Sequence, residues 1–326
     1  MCSSDLTEFA LLQKKQEVVY GALEAYFRLL NARKQRQVIL KSLETAKAHL
    51  RMAQSFFRQD VVDQNDVLKA DLQVAQLEQQ SLKMKHGEEM AGAYLNRQIG
   101  APIHRVLEIE DYVKLPGENI SLAEALRQAV AHRPEFQIIK KSIRLAEYGY
   151  TTAWASHLPT FYVGGKYQWS DNDYLKYFGN SRIRSDNWVA EIGIQMELFS
   201  GGRALAQTEK AKNKIQESIG KAKEVCDLIA LEVKDAVLSL QEARESVSIA
   251  QRAIAQANEN VRLIEQKYKA QIVTSTDVVD AENLLTHAQQ SFHAAVYGYW
   301  IARARLQKAT GRSIEDQKKS LSTPTS

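Results

Sequence analysis

The stretch "KYKAQIVTSTDVVDAENLL", Lys267–Leu285, repeats a pattern already used far upstream in "FFRQDVVDQNDVLKADLQV", Phe56–Val74. Laying one over the other needs no gap and fixes a constant offset of about 211 residues. Phe57 falls on Tyr268, Val62 on Val273, Asp66 on Asp277, Val67 on Val278, Ala70 on Ala281 and Gly100 on Gly311. Working back from the quoted stretch, Ala25, Leu29, Ala32, Arg33, Ala46 and Leu50 meet Ala236, Leu240, Ala243, Arg244, Ala257 and Val261. The match covers residues 15–100 and 226–311, so two copies of one long unit make up more than half of the chain.

Composition says what the repeated unit is made of. The 326 residues are 44% hydrophobic and 25% charged with five prolines, which excludes a disordered chain and a bundle of membrane-spanning helices. A net charge of +4, evenly spread, gives no footprint for nucleic acid. Two cysteines, Cys2 and Cys226, exclude a disulfide framework and offer no metal spacing. No basic stretch followed by an apolar core opens the chain, which read literally means no export signal. The opening "MCSSDL", residues 1–6, is also what a common sequencing adapter encodes from a GTG start, so those residues are expected to be non-native and the chain N-terminally truncated.

Alanine, leucine, glutamine, lysine and glutamate dominate residues 6–57 and 62–99 without proline, the composition of long helices. At about 1.5 Å per residue these are rods on the order of 75 and 55 Å. Their second copies are expected over 203–269 and 278–310. Val278, Ala281, Leu285, Ala288, Phe292, Ala295, Tyr299, Ala302, Leu306 and Ala309 follow strict 3,4 spacing, a seam that packs one helix on another. The first-copy line through Val67, Ala70, Val74, Leu77, Met84, Ala91 and Leu95 is interrupted by Ser81, Glu88 and Gln98.

Between the copies the texture changes. An irregular connector, residues 101–120, leads to Ser121, which with Glu124 reads as a capping box opening a helix that runs to about Leu158 with a break or kink at Pro134. Then "TFYVGGKYQW", Thr160–Trp169, and "NWVAEIGIQMELF", Asn187–Phe199, alternate with period two, the signature of strands. Phe161, Val163, Tyr167 and Trp169 share one face; Trp188, Ala190, Ile192, Ile194, Met196 and Leu198 share another. Strands of about ten residues with one apolar face fit an outer-membrane barrel, and equally a soluble hairpin covered by a helix. An isolated hairpin is marginal in water and no other strands are visible to cover it, which favours pairing between subunits.

"RPEF" in a helix, "LP" before a strand, "LFSGGR" at the strand-to-helix switch and "DVVDA" in the second repeat stand in an order that resembles the TolC family of outer-membrane efflux proteins over residues 7–312. The resemblance implies a mainly α fold of long antiparallel coiled-coil hairpins with a two-stranded β-hairpin contributing to a trimeric transmembrane β-barrel, an α-barrel joined to a β-barrel. Each subunit of such a homotrimer gives four strands to the barrel, and the helices form a tunnel across the periplasm of a Gram-negative cell. The expected division is a first-repeat helical hairpin over 1–100, the connector over 101–120, a helix over 121–158, the transmembrane hairpin over 159–200, a second-repeat helical hairpin over 201–312 and a polar tail over 313–326. The chain departs from the family pattern in three places. The first repeat's strands would precede residue 1, the usual tip glycine is Asp60 in one copy and Gln271 in the other, and Glu197 replaces a proline.

The implied function is a passive export duct of a tripartite efflux or type I secretion system, docked on a periplasmic adaptor and an inner-membrane pump. No catalytic residues, cofactor or metal site are expected, since the seven histidines are scattered and Gly201-Gly202 lacks a phosphate-loop lysine. The double glycine reads as a tight turn. Asp66 and Asp277 follow Asp63 and Thr274 by three residues, so helix capping accounts for both. Asp280 has Lys69 as its counterpart, so shared capping does not explain it. The resemblance places Asp277 and Asp280 at a periplasmic gate, a ring of carboxylates in the trimer. Val61, Val62, Ile272 and Val273, apolar at the two tips, are candidate adaptor contacts, with local hairpin packing as the alternative. Phe161, Val163, Tyr167, Trp169, Trp188, Ile192, Ile194, Met196 and Leu198 are the candidate lipid-facing residues, in contact with outer-membrane lipid. A soluble coiled-coil scaffold is the competing reading.

Overall fold

The computed structural model describes residues 2–111, 120–171, 184–199 and 201–312, without the side chains of 2–6, 169–171 and 184–186. The tail 313–326, the loop between the strands, Ser200 of "LFSGGR" and the side chain of Trp169 therefore lie outside the described residues.

Six helices and two strands follow one another: α1 Cys2–Phe57, α2 Gln64–Gln98, α3 Leu122–His132, α4 Pro134–Ala155, β1 Thr160–Asp171, β2 Arg184–Gln195, α5 Arg203–Lys269 and α6 Ser275–Ala309. The chain divides into two units, Gln137–Val225 and a larger one built from Ser3–Phe136 with Cys226 onward. Rods of 56 and 67 residues are possible because nothing in α1 or α5 removes a backbone donor.

The duplication is written into the backbone as well as the side chains. At the end of α1 the Asp60 N–H donates to Phe57 O and the Val61 N–H to Phe56 O; at the end of α5 Gln271 donates to Tyr268 O and Ile272 to Lys267 O. These paired bonds are Schellman reversals, and each places one residue in the left-handed region. Asp60 has φ 56° and Gln271 φ 61°, so the tips keep the geometry that glycine usually supplies. The upper ends match too: Gly100 (φ 72°) closes α2 and Gly311 (φ 70°) closes α6, with the same two bonds.

The α6 seam is turned inward. Val278, Ala281, Tyr299, Ala302, Leu306 and Ala309 are buried, and Leu285, Ala288, Phe292 and Ala295 are half-buried. In the first copy Ala70, Val74, Leu77 and Leu95 are buried, with Ile39 and Ala46 of α1 packed on Val74 and Leu77. Glu88 interrupts that line because α1 offers it two cations, Arg36 at 2.9 Å and Arg33 at 3.3 Å.

The stretch 121–158 differs from expectation in two details, its cap and its end. The break or kink expected at Pro134 is a break into two helices at Arg133, whose extended backbone (ψ 128°) is what a residue before proline adopts. Ser121 caps α3 by accepting from Glu124 N, but Glu124 turns its carboxylate to Arg127 and Gln128, so the reciprocal half of the capping box is replaced by ion pairing along the helix. α4 ends at Ala155 in tightened turns through Leu158.

β1 and β2 pair antiparallel, with Phe161 opposite Ile194, Val163 opposite Ile192 and Tyr167 opposite Trp188, which gathers these six apolar residues on one face. Pairing stops where Thr160, the residue after Pro159, meets Gln195. Met196 and Leu198, expected on the strand, therefore lie beyond its end, because β1 has no further residue to pair with them. Gly201 and Gly202, at φ 61° and 84°, make the turn into α5, and Arg203 closes it by pairing with Glu197 at 2.7 Å. The carboxylate standing in the usual proline position thus clasps the turn.

Candidate functional site

The N-terminus of α6 carries both candidate gate residues. Thr274 is its N-cap, and the Thr274 N–H and Oγ–H both donate to Asp277 Oδ2 at 2.9 Å. These bonds hold the Asp277 carboxyl below the usual carboxylate range, with Lys69 adding a smaller pull in the same direction. Capping therefore describes Asp277 well. It does not describe its counterpart, because Asp63 at the α2 N-cap makes no side-chain cap bond and two facing carboxylates lack the donor that Thr274 supplies. Asp280 is exposed one turn further on, on the same face as Asp277.

Lys69 is the difference between the repeats that matters here. Standing where the second copy has Asp280, it crosses to α6 and donates to Thr276 Oγ1 at 2.6 Å. It belongs to a line of polar links from the first repeat to α6: Gln73 to Asn283 at 2.7 Å, Ser42 to Thr286 at 2.7 Å and Gln35 to the Gln290 carbonyl at 2.8 Å. At the tip end of this line His49 of α1, buried, shares a 2.7 Å hydrogen bond with Ser275 Oγ. Sequence reasoning named none of these links, since the partners lie over 200 residues apart and carry no local pattern. Glu282, buried on α6, is pushed up to about 7 by burial and by Glu265 of α5.

At the tips Ile272 is 71% exposed, whereas Val61, Val62 and Val273 are half-buried. Val61 and Ile272 occupy equivalent positions just past the Schellman turns. On the hairpin, Phe161, Val163, Tyr167, Trp188, Ile192 and Ile194 are all exposed, Ile192 at 85%. Among the described residues no three of His, Cys, Asp and Glu come together as metal ligands. No described helix is long and apolar enough to cross a membrane.

Far from the tips, the "RPEF" motif has a visible task. Arg133, 8% exposed, pairs with Glu135 at 2.8 Å and Glu232 of α5 at 2.6 Å, and also donates to the Ala309 carbonyl at the end of α6. Gly311 passes so close that a Cβ there would lie 2.8 Å from the His132 carbonyl carbon.

Residues 125–312, more than half of the chain, match the family described as outer membrane efflux protein. The chain belongs to that family. The family is one of channels in the Gram-negative outer membrane, not of enzymes. The alkaline protease secretion protein AprF of Pseudomonas aeruginosa is 24% identical over 320 residues, covering 94% of this chain and 64% of AprF. The outer membrane efflux protein BepC of Brucella suis is 26% identical over 201 residues, covering 60% of this chain and 42% of BepC. The chain thus spans less than two thirds of the length of these relatives. Among solved structures, the outer membrane protein VceC of Vibrio cholerae superposes with a TM-score of 0.81 at 18% identity, over 94% of this chain and 72% of VceC. The efflux-protein fold is thereby shared, helical hairpins and β-hairpin together.

Proposed function

We propose that this outer membrane efflux family chain is a subunit of a homotrimeric export duct that docks on a periplasmic adaptor and an inner-membrane pump, the pump supplying the energy. The observation that carries the reading is the hairpin. Its paired strands present one continuous apolar face to the outside, and the described residues hold no third strand to cover it. Two strands alone are marginal, and lipid on one side with neighbouring strands at both edges removes the problem. β1 and β2 supply two of the four strands per subunit that such a barrel needs. A water-soluble scaffold leaves the face unexplained.

Ile192→Lys tests this directly. Charge on a lipid-facing strand costs about 2–4 kcal/mol near the bilayer midplane, so membrane-assembled trimer is expected to fall sharply, while Glu191→Lys on the opposite face is mild. Equal assembly of Ile192→Lys and wild type would remove the barrel.

Asp277 and Asp280 form the gate. Three chains bring six carboxylates together, which attracts cations and repels anions. The exposed pair on one face of α6, with Asp277 kept ionised by Thr274, supports the reading. Replacing both with alanine is expected to lower cation selectivity in planar bilayers; unchanged selectivity sinks the gate. The tips, led by Ile272, are the adaptor contact, and Ile272→Asp is expected to weaken adaptor binding with the trimer intact.

A further inference from the structure

His49 is a histidine the export reading does not use, and its surroundings are unusual. It is 4% exposed on α1, eight residues before the tip, with Nε2 bonded to Ser275 Oγ and Nδ1 buried without a hydrogen-bond partner. Ser275 is the first residue of α6, next to the capping threonine and two residues before Asp277. Tyr268, the last buried residue of α5, lies with its ring 5.0 Å from the imidazole. The site thus joins α1, the end of α5 and the start of α6 at one point.

We infer that His49 is a positioning residue for the gate: in its neutral form it seats the first turn of α6 through Ser275, and its protonation unseats that turn, so that acidification of the periplasmic side opens the channel. The inference rests on the gate reading of Asp277 and Asp280.

A neutral imidazole suits this place for three reasons. Its one bonded nitrogen matches one hydroxyl, whereas an imidazolium needs two acceptors and finds the Nδ1 side closed. The N-terminus of a 35-residue helix is the positive end of its dipole, which repels a cation seated against it. Burial opposes the charge outright, and only Asp66 of α2 pulls the other way. From α5 the neighbouring titratable group is Tyr268, itself raised by burial. On α6 the Asp277 carboxylate is turned to Thr274. The sign follows. A histidine held below its ordinary value leaves the seat at full strength above about pH 6.5 and weakens it as pH falls through that range. Each unit of depression shifts the ratio of unseated to seated helices about ten-fold.

Glu282 titrates in an overlapping range, but in the other sense. Acid neutralises it against Glu265 and tightens the α5 and α6 pairing. It serves as the internal control.

The test is single-channel recording of the complete trimer in planar bilayers, with the periplasmic side taken from about pH 8 to about pH 5.5. Wild type is expected to show a rise in open probability across that step. His49→Gln keeps a donor for Ser275 without a titrating ring and is expected to lose the rise, while Glu282→Gln keeps it. A rise that persists in His49→Gln overturns the inference. If His49→Gln does not assemble, hydrogen exchange on wild type decides: residues 275–285 lose protection in acid if His49 holds them, and unchanged protection overturns the proposal. Selectivity of Asp277→Ala with Asp280→Ala, measured on the same channels, separates failure of the gate reading from failure of the histidine.

Discussion

Asp60 and Gln271 both sit in the left-handed region, at φ 56° and 61°, where residues with a Cβ are rarely comfortable. Aspartate tolerates the conformation through its short polar side chain; glutamine has no such help. Gln271→Gly is therefore expected to stabilise the protein by up to about 1 kcal/mol and Asp60→Gly by less, read by thermal unfolding in detergent. A loss of stability in Gln271→Gly would mean that the side chain holds the tip in some other way. Asp277 gives a second residue-level expectation. Its carboxyl is held below the ordinary range by Thr274, so its contribution to α6 is present above about pH 4 and lost as pH falls through the lowered value. Asp277→Asn should remove that acid dependence from hydrogen exchange of the first α6 turn. Of these residues the sequence exposed the repeat position but not the partner. Asp63 and Thr274 align, yet only the hydroxyl can donate to a carboxylate three residues on.

Among the elements, the long helices were readable because their signal is long: period, composition and absence of proline agree over dozens of residues. The strands were readable for the same reason at period two, and the pairing placed Phe161, Val163, Tyr167, Trp188, Ile192 and Ile194 together as their alternation implies. What failed were ends. β2 stops when its partner runs out at Thr160, whereas α3 gives way to α4 at Arg133, where Pro134 led a break or kink to be expected. That junction is held by Arg133, whose guanidinium is shared between Glu135, Glu232 and the α6 terminus. Arg133→Ala leaves two half-buried carboxylates facing each other and is expected to cost up to about 3 kcal/mol, seen as a fall in the thermal midpoint of the protein. Replacing Glu232 with leucine in the same chain should recover part of the loss. A midpoint unchanged by Arg133→Ala would show that the junction is held by packing alone.

For the whole molecule, the duplicated unit is the organising fact, and its two copies have separated in a particular order. Backbone features stayed together: residues 60 and 271, and residues 100 and 311, still make the same pairs of bonds. Side chains at the tips did not, for Lys69 crosses to Thr276 where its twin Asp280 stands exposed. In a ring of three chains the reversals would recur six times, while the charges behind them would recur only three times. Two symmetries are then laid over one another at the same rim. A partner that grips the shape of the reversals meets six equivalent places; one that reads the charge meets three.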